Sequence, residues 1–115
     1  MSEQTVNSND RDDGIRHVAE QWWLASIGRT LIWARLRLRE AGTADIFDSD
    51  GNTLVYDSED SARATLMDAE FVSFDGLDDD DALARGFAVG EIAPPQANDD
   101  DTLRTRMVQT LGARA

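Results

Sequence analysis

The chain has 115 residues and a mass of 12.7 kDa, enough for one small hydrophobic core and too little for a two-lobed enzyme with a cleft between domains. It contains no cysteine and a single histidine, His17, which excludes disulfide scaffolds, thiolate nucleophiles and cysteine-based or multi-histidine metal centres. The formal net charge is −12, from 23 acids and 11 bases, a field that repels nucleic acid and anionic membrane and attracts a basic partner.

Residues 1–14 carry only Met1 and Val6 as apolar relief, so burial there cannot offset the entropy of ordering and a disordered tail is expected. From Ile15 to Ile27 the apolar residues Ile15, Val18, Ala19, Trp22 and Trp23 fall at helical intervals and Gly28 is a plausible stop. This spacing predicts a helix, with a strand around Trp22 to Ala25 as the rival. Over Thr30 to Arg39 the residue types favour helix but the order alternates with period two, and strand is the reading adopted. It places Ile32, Ala34, Leu36 and Leu38 on one face and Trp33, Arg35, Arg37 and Arg39 on the other.

Asp50-Gly51 between IFDS and NTLVY predicts a β-hairpin, because glycine readily supplies the positive φ of such turns. Its register stays open between a two-residue turn and a longer loop with a bulge. Asp57, Ser58, Glu59 and Asp60 then read as a helix start, with Ala62, Leu66 and Ala69 forming the face that lies on the sheet. Phe71 to Phe74 reads as a short strand or extended link. A second helix is capped by Asp78, with Asp81 at the third position, Leu77 stapling against Ala82, and Gly86 closing it ahead of Phe87. Pro94-Pro95 marks the expected end of a single domain over 15–93. Residues 94–115 are then a linker and a possible C-terminal helix carrying Leu103, Met107, Val108 and Leu111. The fold class is α+β: an antiparallel meander of three or four strands packed on one or two helices.

No motif compels a chemistry. With Gly51 as the sixth residue of a calcium loop, the first ligand would be Ile46 and the twelfth Asp57, so the EF-hand pattern fails. The runs Asp78 to Asp81 and Asp99 to Asp101 read as solvated carboxylates rather than cation sites. His17 has Glu20 three residues on, but no nucleophile elbow or phosphate loop accompanies it. No metal, cofactor or catalytic residue is assigned, and a non-catalytic protein is expected.

The charge is uneven: residues 29–40 and 102–115 each carry +3, whereas residues 41–101 carry −15. Arginine and tryptophan dominate interface energetics, so the interface candidates are Trp22, Trp23, Trp33, Arg35, Arg37 and Arg39. The competing reading is that cross-strand pairing with Asp45, Asp48, Asp50 and Asp57 uses up the arginines and that the tryptophans are core. The functional expectation is an acidic protein-binding module, an immunity or inhibitor protein for a basic partner being its concrete form. The alternative is a nucleic-acid-binding module using the Arg/Trp strand face.

The stretch GTADIFDSDGNTLVYDSEDSARATLMDAEFVSFDGLD, residues 42–78, resembles small stand-alone bacterial proteins of unknown function. The resemblance implies a bacterial cytoplasmic protein and brings no activity, fold or site residue with it. No apolar run approaches the roughly 18 residues of a membrane span, and the N-terminus lacks the basic and apolar regions of a signal peptide, so a cytoplasmic protein with no membrane partner is expected.

Overall fold

The computed structural model describes residues 16–112; the tail expected over 1–14 lies outside the described residues. The fold is α+β, with strands β1 (His17–Ile27), β2 (Thr30–Arg39), β3 (Ala44–Phe47), β4 (Thr53–Tyr56), β5 (Val72–Ser73) and β6 (Val108–Thr110). The helices are α1 (Glu59–Asp68), α2 (Asp79–Ala84) and α3 (Asp100–Thr105), and a 3₁₀ turn covers Val89–Glu91. The strands form one sheet in the order β4-β3-β2-β1-β5, with β6 also on β2, and every pairing is antiparallel. The antiparallel run from β2 to β4 is as expected; with β1, β5 and β6 the sheet exceeds the three or four strands expected.

The segment expected as a helix from Ile15 to Ile27 is instead β1, the partner of β2 along nearly its whole length. The physical reason is two-sided burial. A strand covered on both faces needs apolar residues at consecutive positions, and Trp23 and Leu24 supply them, packing into separate core clusters on opposite faces. Two superposed faces of one strand imitate a helical period. Gly28, read as a helix stop, has φ +60 and opens the two-residue turn that pairs Ile27 with Thr30. Glycine with positive φ at the first turn position suits the right-handed twist of the flanking strands.

The alternation expected in β2 is present. Ala34 and Leu36 pack with Trp23, Ala44 and Ile46 beneath Ala62 and Leu66 of α1. Leu31 and Trp33 pack on the other face with Leu24, Phe47, Ala82, Phe87, Leu103 and Met107. The second hairpin takes the longer loop: Phe47 pairs with Thr53, the Asp48 N–H donates to Asn52 O at 3.0 Å, and Gly51 has φ +90.

Past Pro94-Pro95 the chain stays on the core. Asp99 caps α3, Leu103 and Met107 are buried, and β6 pairs with Thr30 to Ile32. The helical spacing read over 102–113 thus divides between the end of α3 and a return strand.

The two longer-range caps contrast usefully. At the end of α2 the Gly86 N–H donates to Leu83 O and the Phe87 N–H to Ala82 O, with Gly86 at φ +96, the left-handed closure expected from sequence. At the end of α1 the Glu70 N–H donates to Met67 O and the Phe71 N–H to Leu66 O, but the left-handed residue is Glu70, at φ +67. Ala69 serves as the C-cap and is exposed, rather than lying on the sheet. Since a non-glycine residue is disfavoured in this region, Glu70→Gly should raise stability by about 0.5–1 kcal/mol. A denaturation midpoint that falls instead would show that the Glu70 side chain holds the structure.

Candidate functional site

The Trp/Arg tract is assembled by the β1–β2 hairpin. Pairing of Trp22 with Arg35 and of Glu20 with Arg37 puts Glu20, Trp22, Trp33, Arg35 and Arg37 on one face of the sheet. Trp33 is fully buried (0% exposed); its Nε1 donates to Gln109 Oε1 at 3.0 Å, and its ring meets Trp22 edge-on at 6.1 Å and Phe74 at 5.5 Å. Trp23 is buried on the opposite face, with the Arg63 guanidinium 5.2 Å from its ring centre. Of the three tryptophans only Trp22 is partly accessible.

The arginines are engaged by the protein itself. Arg35 is buried, lies 4.9 Å over the Phe47 ring and donates from Nη1 to Asp100 Oδ1 at 3.1 Å, while its Nε has no partner. Arg37 Nε donates to Glu20 Oε1 at 3.0 Å and Arg39 Nε to Asp45 Oδ2 at 3.0 Å. The arginines are thus paired, as the competing reading expected, but of the acids it named only Asp45 takes part; Glu20 across the hairpin and Asp100 of α3 supply the other two. Asp45, with 5% of its side chain exposed, also receives His17 Nε2 at 2.8 Å. The acid facing His17 is thus Asp45 rather than Glu20: the register irregularity between His17 and Ala19 leaves both on the same face, but the Glu20 carboxylate is taken by Arg37. Among the described residues no hydroxyl is hydrogen-bonded to this pair.

The carboxylate runs serve helix starts. Asp78 Oδ1 accepts the Asp81 N–H at 2.8 Å and Asp99 Oδ1 accepts the Thr102 N–H at 2.7 Å. Among the described residues no group of three potential ligands gathers to hold a metal. The backbone bond from Thr102 is the main cause that holds the Asp99 carboxyl below its usual 3.8. Because the folded pKa is depressed, the cap's extra stabilisation is present above the unfolded value and is lost as pH falls through the folded one. The thermal-midpoint advantage of the native chain over Asp99→Asn should accordingly shrink only below about pH 4; an advantage constant down to pH 2 would remove the cap from the acid response.

Two open clefts flank the sheet. One, of about 750 Å³, is lined by Ile27, Ile32, Met67, Phe71, Glu70 and Arg85 among others, so it holds one acid and one base. The other, of about 510 Å³, lies between Trp22, Arg35, Arg37 and the Pro94-Pro95 segment and holds one acid, Glu20. Neither brings two carboxylates into a shared environment that would separate an acid from a base.

The acidic surface presents a different balance. Among the described residues Asp48, Asp50, Asp57, Asp60, Asp68, Asp75 and Asp79 to Asp81 take part in none of the ion pairs, and neither do Arg85, Arg104 and Arg106, whereas Arg35, Arg37 and Arg39 of the sheet all do. Sequence reasoning missed Asp100 as the partner of Arg35 and Gln109 as the partner of Trp33. The signal for α3 was present, since Asp99 followed by acids and Leu103 repeats the capping pattern of Asp78. Comparison with family models, with curated proteins and with solved structures finds no match.

Proposed function

We propose that this chain is a non-catalytic acidic module that binds a basic protein, in the manner of an immunity or inhibitor protein covering its target's cationic surface. The observation that carries the reading is the asymmetry of pairing: the arginines of the sheet are neutralised within the fold, while the carboxylates outside it are left to the solvent. A net charge of −12 then steers cationic surfaces toward the molecule. Occupation of Arg35, Arg37 and Arg39 by Asp100, Glu20 and Asp45 favours a protein partner over nucleic acid, because phosphate contacts need free cations. Among the described residues no helix is long and apolar enough to cross a membrane, and a bacterial cytoplasmic setting belongs to the same proposal.

Affinity purification from cells at rising ionic strength tests it. A retained partner should be basic, and retention should fall steeply between about 50 and 500 mM salt. Retention independent of salt, or a gel shift of DNA at low salt, would overturn the reading.

A further inference from the structure

The last strand of the meander is an open edge. β4 pairs only with β3, and the bond from the Asp48 N–H to Asn52 O sets the phase of that ladder. With that phase, Ile46 and Leu54, and Ala44 and Tyr56, are the mutually bonded pairs, which turns the N–H and C=O groups of Thr53 and Val55 away from the sheet. Among the described residues nothing pairs with them. The side chains beside this edge are uncovered on both faces: Leu54, on the face that carries α1, is 54% exposed and Val55, on the other, is 55% exposed.

Exposed edges are usually blunted by a charged residue within the strand, by proline or by a covering element, and TLVY has no charge or proline. The charges stand at its ends instead. From Asp45 to Asp60 the chain has six carboxylates and no base. Asp45 is taken by Arg39 and His17, and Glu59 by Arg63. Arg104 lies against Gly51. Asp48, Asp50, Asp57 and Asp60 remain outside the ion pairs of the described residues.

We infer that β4 is a docking edge for an extended basic segment of a partner protein, which adds a strand along Thr53 to Tyr56 with its cations on the flanking aspartates. Main-chain bonds to Thr53 and Val55 give affinity, and the charges at both ends give selection. A second copy of this chain is the wrong occupant: pairing two β4 edges would bring the same unneutralised aspartates against each other, between molecules of net charge −12, where like charges oppose association. The inference rests on the acidic-module reading and assigns that module its contact strand.

The probe is an end-blocked heptapeptide of alternating lysine and valine, titrated at low salt into the full chain and followed by amide NMR and hydrogen exchange. Bound peptide should slow exchange of the Thr53 and Val55 amides about tenfold. The same peptide N-methylated at alternate residues, which cannot complete a ladder, should bind at least about fivefold more weakly. Val55→Pro removes the outward N–H while leaving the bonds to β3, a placement that edge strands accept, and should weaken binding to a similar extent. Equal binding of the two peptides, without protection at Thr53 and Val55, would overturn the edge inference and leave the acidic module standing. Failure of any lysine peptide to bind at low salt would overturn both. Protection of Thr53 and Val55 in the free chain would show the edge already covered and also overturn the inference.

Discussion

Trp33→Ala is expected to destabilise the protein by about 3–5 kcal/mol, the range for truncating a fully buried aromatic residue. Three losses combine at this site. The indole fills the face shared with Leu31, Phe47, Phe87, Leu103 and Met107, so its removal leaves a cavity among groups that belong to five different elements and connections. Its edge contacts with Trp22 and Phe74 disappear, a term of about 0.5–1.5 kcal/mol for each aromatic pair beyond area. Its Nε1 bond to Gln109 anchors β6, whose Val108 pairs with Ile32 beside it. Chemical denaturation measures the effect. A Trp33→Ala change that lowered stability by less than about 1 kcal/mol while weakening partner binding would move Trp33 from core to interface.

Arg39→Leu is the second large effect, expected to cost about 2–4 kcal/mol. The cost arises on its partner: Asp45, on a central strand with 5% of its side chain exposed, would keep a buried charge with only His17 to meet it. Breaking one side of such a pair leaves an uncompensated charge, whereas removing both sides often does not. The double change Arg39→Leu with Asp45→Leu should therefore recover most of the loss, and a double-mutant cycle reads the coupling directly. If the two single losses simply add, the pair acts as two independent surface groups. By contrast Glu20→Gln, which loosens the more exposed Arg37 pair, should cost no more than about 1 kcal/mol.

The contrast between these pairs shows how far local sequence reaches. Asp50-Gly51, Ser58, Asp78 and Gly86 act over four or five residues, and their turn and caps stand where the sequence predicts them. The same grammar at Asp99 was legible in principle, but the prolines before it suggested an exit from the fold. The alternation of β2 was also readable, because each of its faces is chemically distinct. β1 was not: a strand buried on both sides near Trp23 and Leu24 carries no alternation there, and its exposed start at His17 to Glu20 adds polar positions that mimic a helix surface. The interface candidates divide in the same way. Their residue types and their face were readable, but whether each guanidinium is free depends on carboxylates far along the chain, Asp100 lying 65 residues from Arg35.

By itself the sequence determined the α+β class, the turn and cap positions, the faces of β2 and the sign of the field. Each of these is set by a few neighbouring side chains or by simple composition. Only the tertiary structure decided that the first apolar segment is a strand, that the chain returns through α3 and β6, and that Arg35, Arg37 and Arg39 are paired internally while, among the described residues, the edge of β4 stays open. Those outcomes are settled by pairing across tens of residues, where a backbone N–H or a buried charge takes whichever partner the closed sheet brings within reach.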